Sequence, residues 1–407
     1  MKCRHCLHEL DHMWLDLGFA PPSNAYITRD KLDSPELYFP LRILVCDNCW
    51  LVQTEDYAKA EELFAPDYAY FSSVSKSWLV HAREYCAGII NRLSLNDTSL
   101  VIEVAANDGY LLRNMVAAGV PCLGIEPTDS TADAAELLGI PILREFFGES
   151  LAKRLVEKGQ VADLLIGNNV LAHVPDINDF VKGLKLSLKL SGTITLEFPH
   201  LLQLIKHCQF DTIYHEHYSY LSFTTVKQIL ASVGLKIIDV DRLQTHGGSL
   251  RIYACHAADE RAIEDRVAEV LEEEAKAQLH SLAGFIGFQQ RAFDIKLSLL
   301  QFLVDQKKNG KRVCAYGAAA KGNTLLNYSG VTSDLLPYVV DASIHKQGMF
   351  LPGSHIPIVD ECRLREDRPD YVLILPWNLK DEISAQLNYV KEWGGKLVIS
   401  MPELQVL

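Results

Sequence analysis

Two CxxC pairs, Cys3-x-x-Cys6 and Cys46-x-x-Cys49, each offer two thiolates from one tight turn. Two such turns complete the tetrahedral four-sulfur shell that zinc prefers. All four positions would then be filled by protein, so the ion's role would be structural; iron suits the same shell. A redox pair would open a helix after a strand, and neither pair has that setting. His5, His8 and His12 are alternative ligands, read in preference as surface residues. The other six cysteines, Cys86, Cys122, Cys208, Cys255, Cys314 and Cys362, are read as buried apolar fillers.

A second concentration of reactive groups lies at Tyr214, His215, Glu216, His217, Tyr218 and Tyr220. Histidine is the side chain best matched to proton abstraction near neutral pH. In an extended chain Tyr214, Glu216, Tyr218 and Tyr220 share one face, and His215 and His217 the other. In a turn, Tyr214 and His217 converge. Histidines two apart do not fit the metalloprotease spacing H-E-x-x-H. An aromatic strand edge and a two-histidine metal site are the competing readings.

The elements that must position these groups alternate between strand and helix. Strands are expected at 100–104, 122–125, 162–166 and 192–198, with a helix near 75–95 and another from Tyr110. This alternation implies a parallel, doubly wound α/β sheet, whose ligands sit at the carboxyl ends of the strands. The first strand delivers Glu103 and the turn Ala105-Ala106-Asn107-Asp108-Gly109. The second ends in Glu126-Pro127 and the third at Asn168-Asn169. Glu126 can take both hydroxyls of a ribose. The turn has one glycine where a dinucleotide site would want G-x-G-x-x-G, which favours S-adenosylmethionine (SAM) over NAD. From Asp259 to about Lys308 one or two connecting helices are expected. A second α/β unit then restarts at Arg312, with the loop Tyr316 to Thr324 entering a helix and Asp341 ending a strand as a structural residue.

Length and charge bound the function. A chain of 407 residues exceeds one ordinary core and implies two or three domains. With 39 Lys plus Arg and 52 Asp plus Glu, the net charge is 39 − 52 = −13, which argues against nucleic acid and anionic membranes as partners. No apolar run approaches the roughly 18 residues of a membrane span, and the first residues carry no apolar signal core, so a cytoplasmic protein is expected.

On these residues the chain resembles the sugar C-methyltransferases that act on nucleotide-linked 4-keto-deoxysugars, including the C-3′-methyltransferases of deoxysugar biosynthesis. The likeness covers essentially the whole chain. It rests on the paired CxxC module, Asp67 to Ser73, Glu103 to Gly109, Asn168 to Val174, Phe210 to His217, His246 to Arg251, and Gly317-x3-Lys321-Gly322-Asn323-Thr324. Ala105 departs from it, since that turn often carries glycine. The resemblance implies a zinc-binding module (1–65), a class I methyltransferase domain (66–258), and a helical connector with a Rossmann-like substrate-binding domain (259–407). It implies zinc on Cys3, Cys6, Cys46 and Cys49, and SAM near Glu103, Ala105, Asn107, Gly109, Glu126, Pro127, Asn168 and Asn169. His217 would be the general base, with Tyr214, Glu216 and His173 lining the sugar. Lys321 would face the diphosphate, and Tyr68, Ser72, His246, Tyr316 and Asn323 would also meet the substrate. By the family's habit that substrate would be a dTDP-linked keto sugar.

The chemistry agrees: His217 would remove a proton beside the C4 ketone, and Tyr214 or His173 would donate to the enolate oxygen. Competing functions are methylation of oxygen or nitrogen on another small molecule, an NAD-dependent oxidoreductase, and a non-enzymatic zinc scaffold.

Overall fold

Runs such as Val101 to Val104, apolar except for Glu103, are buried on both faces, which is the pattern of parallel strands covered by helices. In the computed structural model, which describes residues 1–55, 57 and 71–407, such runs form the centres of two of three sheets. Tyr68 lies outside the described residues.

The first sheet is antiparallel and has the order β1 (His12–Ala20), β2 (Phe39–Val45), β3 (Val52–Thr54) and a fourth strand, Ser219–Tyr220 (β9). That fourth strand comes from the segment just after the Tyr-His-Glu-His run and pairs Val52 with Tyr220 and Gln53 with Ser219. The cysteine module and the central reactive segment therefore share one sheet.

The central sheet contains β4 (Val101–Val104), β5 (Cys122–Ile125), β6 (Ile142–Leu143), β7 (Ala162–Asn168), β8 (Leu188–Pro199), β10 (Leu235–Leu243) and β11 (Ser249–His256). Its order is β6-β5-β4-β7-β8-β11-β10. The strands are parallel except β11, which is antiparallel to both neighbours. Counted within this sheet the order is 3-2-1-4-5-7-6. The strand order reverses at β4, which has β5 on one side and β7 on the other, and a crevice opens at its carboxyl end.

The third sheet has the order β14 (Ile358–Val359), β13 (Val339–Val340), β12 (Val313–Tyr316), β15 (Tyr371–Ile374), β16 (Lys396–Ile399) and β17 (Gln405–Val406). Only β17 is antiparallel. Here the switch point is β12. The stretch read as a connector forms two helices, Asp265–Lys276 and Phe288–Lys308. The first also reaches back: Glu274 accepts from the amides of Phe223 and Thr224, capping the helix Phe223–Ser232, and pairs with buried His200 at 2.7 Å. Among the described residues, no helix is long and apolar enough to cross a membrane.

The expectation for the scattered cysteines needs one correction. Cys86, Cys208, Cys255 and Cys314 are buried, but Cys362 is exposed and Cys122 is half-buried. Cys362 opens the helix Cys362–Asp367 and Cys122 opens β5, and at these element ends packing does not enclose the side chain.

Candidate active site

The turn after β4 is tied to the strand end beside it. Glu126, at the end of β5, accepts from the amide of Asn107 at 2.9 Å and from the amide and hydroxyl of Thr128. The Asn107 and Asp108 side chains in turn accept from the amides of Ser72 and Ser73. Asn168, at the end of β7, is buried with neither amide atom hydrogen bonded. A buried, unsatisfied amide is costly unless a ligand completes it.

A cavity of about 590 Å³ runs from this turn to the third sheet. Its wall includes Ala105, Asn107, Glu126, Pro127, Asn168, Asn169, Ser72, His173, Tyr214, His217, His246 and Lys321. Sequence reasoning missed Asn24, Trp78, Lys346 and Asn378, which line it as well. Trp78 could have been noticed as a large aromatic near a helix start. Asn24 follows a Pro-Pro pair that reads only as a breaker. Four non-glycine wall residues hold positive φ: Ala105 (58°), Asn107 (49°), Asn169 (54°) and His246 (53°). Such conformations cost about 1–3 kcal/mol each and cluster at functional sites.

The Tyr-His-Glu-His run is a turn, not a strand. The amide of His217 donates to the carbonyl of Tyr214 at 3.0 Å, and their rings lie 4.0 Å apart. The His217 Nδ1 lies 2.9 Å from the carbonyl of Thr212. A carbonyl only accepts, so Nδ1 carries the proton and Nε2 keeps its lone pair. Burial pushes the His217 pKa well below the usual histidine value; the bond to Thr212 opposes the shift and the Lys321 charge adds to it. His173 stands 4.5 Å away, ring to ring. Its Nδ1 lies 2.7 Å from the carbonyl of Glu216, and burial lowers its pKa to about 4. A carbonyl only accepts, so His173 Nδ1 carries the proton when the ring is neutral. His215 turns away, with Nε2 3.2 Å from the carbonyl of Pro40.

His246 lies against the opposite wall. Its Nε2 accepts from the Asn169 amide at 3.1 Å, and Trp78 stands edge-on at 5.2 Å. Behind it Glu197 accepts from Arg251, Thr245 and His81, a buried network that braces the 245–248 turn.

The third sheet contributes the loop at the end of β12. Asp341 accepts from the amides of Ala318 and Ser343, so it ties the loop after β12 to the end of β13. The helix Ala320–Ser329 then starts at the cavity wall, and its first-turn amides have no intrahelical acceptor. Gly317 has φ +91°, and a side chain there would strike Pro376 at 2.4 Å. Lys321 Nζ donates to Asn378 Oδ1 at 2.6 Å and lies 5.1 Å over the Trp377 ring. Burial lowers its pKa, and Asp211 opposes that shift. Lys346, hydrogen bonded to the carbonyl of Ala318, is a second cation on the wall.

Five expected site residues do not reach the cavity. Glu103 is fully buried within β4, and burial, with Glu126 and Asp108 nearby, pushes its pKa well up. Gly109 packs its turn against Ala135, where a Cβ would meet Ile140 at 2.5 Å. Glu216 points to Asn24, accepting from its amide and side chain at 3.1 Å. Tyr316 bonds Gln386 at 2.6 Å, and Asn323 donates to the carbonyl of Ser23, tying the third unit to the first. Neighbouring elements capture Glu216, Tyr316 and Asn323, whereas both carboxylate oxygens of Glu103 are buried without a hydrogen-bond partner.

The cysteines form two matching knuckles. Leu7 N donates to the carbonyl of Cys3 and Trp50 N to that of Cys46, and both Leu7 and Trp50 have positive φ. The four Sγ atoms lie within 4.8 Å of one another, with Cys3–Cys49 and Cys6–Cys46 at 3.5 Å. Zinc–sulfur bonds of about 2.3 Å require tetrahedral edges of about 3.8 Å, so the donor set fits the ion. His8 and His12 pair with Asp47 and His5 with Asn178, outside the cluster.

Sequence comparison agrees with this geometry. A family model described as a zinc binding domain matches residues 3–64, one described as a methyltransferase domain matches 78–240, and one described as a C-methyltransferase C-terminal domain matches 244–402. "C-methyltransferase NovU" of Streptomyces niveus is 31% identical over 409 aligned residues, covering 100% of this chain and 96% of its own. Among solved structures, magnesium protoporphyrin IX methyltransferase from Synechocystis with bound SAM is 15% identical, covering 44% of this chain and 80% of its own at a TM-score of 0.33. A SAM-dependent methyltransferase from Clostridium acetobutylicum covers 43% and 91%, at 10% identity and a TM-score of 0.36. With 31% identity to that C-methyltransferase over the whole chain, and family models matching residues 3–64, 78–240 and 244–402, the chain belongs to the SAM-dependent C-methyltransferase family.

Proposed function

We propose that the enzyme methylates the carbon beside the ketone of a nucleotide-linked 4-keto-6-deoxysugar, at C3. One observation carries this reading: the turn after β4, the His217–Tyr214 turn and the helix start at Ala320 share a single cavity. A cofactor site, a base and an anion cradle are thus within reach of one bound acceptor. SAM supplies an electrophilic sulfonium methyl when bound. Ala105, Asn107, Glu126, Pro127, Asn168 and Asn169 would hold it, with Glu126 on the ribose hydroxyls.

The chain's own residues then do the following. His217 Nε2 accepts the proton from C3, and the Tyr214 hydroxyl donates to the oxygen that gains charge at C4. The three buried histidines are neutral near pH 7, so they add no positive charge that would compete for SAM's place. Lys321, Lys346 and the first-turn amides of the helix Ala320–Ser329 suit a diphosphate. The decisive experiment is incubation with labelled SAM and a panel of nucleotide-linked 4-keto sugars, the methyl being located by mass and proton NMR. Label on oxygen or nitrogen, or none, would overturn the reading.

Two substitutions test its halves separately. Glu126→Ala is expected to weaken SAM binding by about 1.5–3 kcal/mol, measured by calorimetry, because a buried charged acceptor is lost. Lys321→Met is expected to raise KM for the nucleotide sugar by about ten- to hundredfold with a smaller change in kcat. A fall in kcat at unchanged KM would instead assign Lys321 to the reacting centre.

A further inference from the structure

We propose that Arg4, held between two cysteines of the metal cluster, is a positioning residue for both His217 and His173. The inference rests on the reading of His217 as the base. It gives the four-cysteine module a part in the reaction beyond holding its own fold.

Arg4 is fixed at the backbone from two sides. Its amide donates to Gln53 Oε1 at 3.0 Å, and its carbonyl accepts from Asn178 Nδ2 at 3.1 Å. Gln53 also donates to Cys3 Sγ at 3.3 Å, so the knuckle and the arginine move together. The guanidinium then grips three segments of the site. One nitrogen donates to the carbonyl of Thr54 at 3.1 Å, another to that of Pro175 at 3.2 Å, and the carbon lies 4.8 Å over the Tyr218 ring.

Each of these grips is one step from a histidine. The Thr54 hydroxyl donates to the carbonyl of His217 at 3.2 Å, and its amide donates to that of Tyr218 at 3.2 Å. Pro175 ends the loop that follows the short turn Leu171–His173. Tyr218 is the neighbour of His217, and its amide donates to the carbonyl of Ala172 at 2.8 Å. Two histidine rings that touch at 4.5 Å but sit on segments 44 residues apart (217 − 173) need a common brace. A planar fork can span two carbonyls at once, whereas an ammonium is a point donor, so lysine would be an incomplete substitute.

The experiment compares Arg4→Met, Arg4→Lys, Thr54→Val and His217→Asn with the wild type. It measures bound zinc per chain, SAM affinity, kcat and KM for the acceptor that the wild type turns over, the pH profile of kcat/KM, and histidine ring-proton NMR titrations. For Arg4→Met the expected result is full zinc, SAM affinity changed less than about twofold, and kcat lowered by about 10²-fold at nearly unchanged KM, the size of effect that an ångström of misplacement produces. The acid limb and the His217 titration should move up toward the ordinary histidine value as water enters. Arg4→Lys should recover part of the loss. Wild-type kcat and histidine titrations in Arg4→Met would overturn the proposal. If that variant loses zinc, Arg4→Lys decides, since it keeps the charge and the backbone bonds of the knuckle: full zinc with lowered kcat supports the proposal, and full zinc with wild-type kcat overturns it, while Thr54→Val tests only the hydroxyl link to His217. If His217→Asn keeps its activity, the base assignment fails, and the NMR titrations still decide whether Arg4 holds the histidines.

Discussion

Replacing His217 with asparagine is expected to lower kcat by about 10²–10⁴-fold and leave SAM affinity unchanged. Asparagine can still donate to the carbonyl of Thr212, so the turn survives, but it has no basic nitrogen to receive the proton. The pH dependence has a defined sign. Burial pushes the His217 pKa well below the usual histidine value, so the base stays neutral as pH falls through the range where a free histidine protonates. The acid limb of kcat/KM should therefore lie below about pH 6.5. Stability changes in the same range. His173 and His246 titrate at about 4 in the folded chain, both chiefly because of burial. The unfolded chain takes up those protons first, at about 6.5, so their contribution is present above that pH and is lost as pH falls toward 4. Thermal melts at each pH separate this loss from the loss of the base. An asparagine variant within about threefold of wild-type kcat, or an acid limb above about 6.5, would place the base elsewhere.

The second large effect is expected from the metal cluster. Cys49→Ser, or chelation of the wild type, should destabilise the chain by several kcal/mol and abolish methyl transfer, as read by zinc stoichiometry, thermal melting and turnover. The module cannot fail alone. Cys3, Cys46, Cys49 and Leu51 pack in one core with Leu171, Ala172, Leu221 and Phe223 of the central unit. The Thr225 hydroxyl donates to the carbonyl of Cys49, and β3 pairs with β9 directly after the His217 turn. Losing the ion is thus expected to release the strand next to His217. A metal-free protein with wild-type kcat would show that the cluster stabilises a detachable module.

Much of the site was legible because its signals are local. Strand β5 runs over the expected residues 122–125, and Glu126 and Asn168 stand at strand ends as the alternation of strand and helix required. The Tyr214–His217 run was ambiguous by itself, since alternation and turn suit the same residues; the backbone bond from His217 to Tyr214 decides for the turn. Glu216, Tyr316 and Asn323 carry side chains suited to substrate contact. Their partners Asn24, Gln386 and Ser23 are far along the chain, and no spacing rule could reveal the capture.

The sequence by itself pointed to the four-cysteine set, the two switch-point turns and the reactive groups of the central cluster, because ligand spacing, strand periodicity and side-chain type act within a few residues. Only the tertiary structure decided which ring nitrogen of His217 and of His173 faces a carbonyl, and which cations face the cavity. Those outcomes depend on burial and on carbonyl acceptors supplied by packing. The bonds of Arg4 to Thr54 and Pro175, 50 and 171 residues away, exist only once three sheets have closed around one cavity.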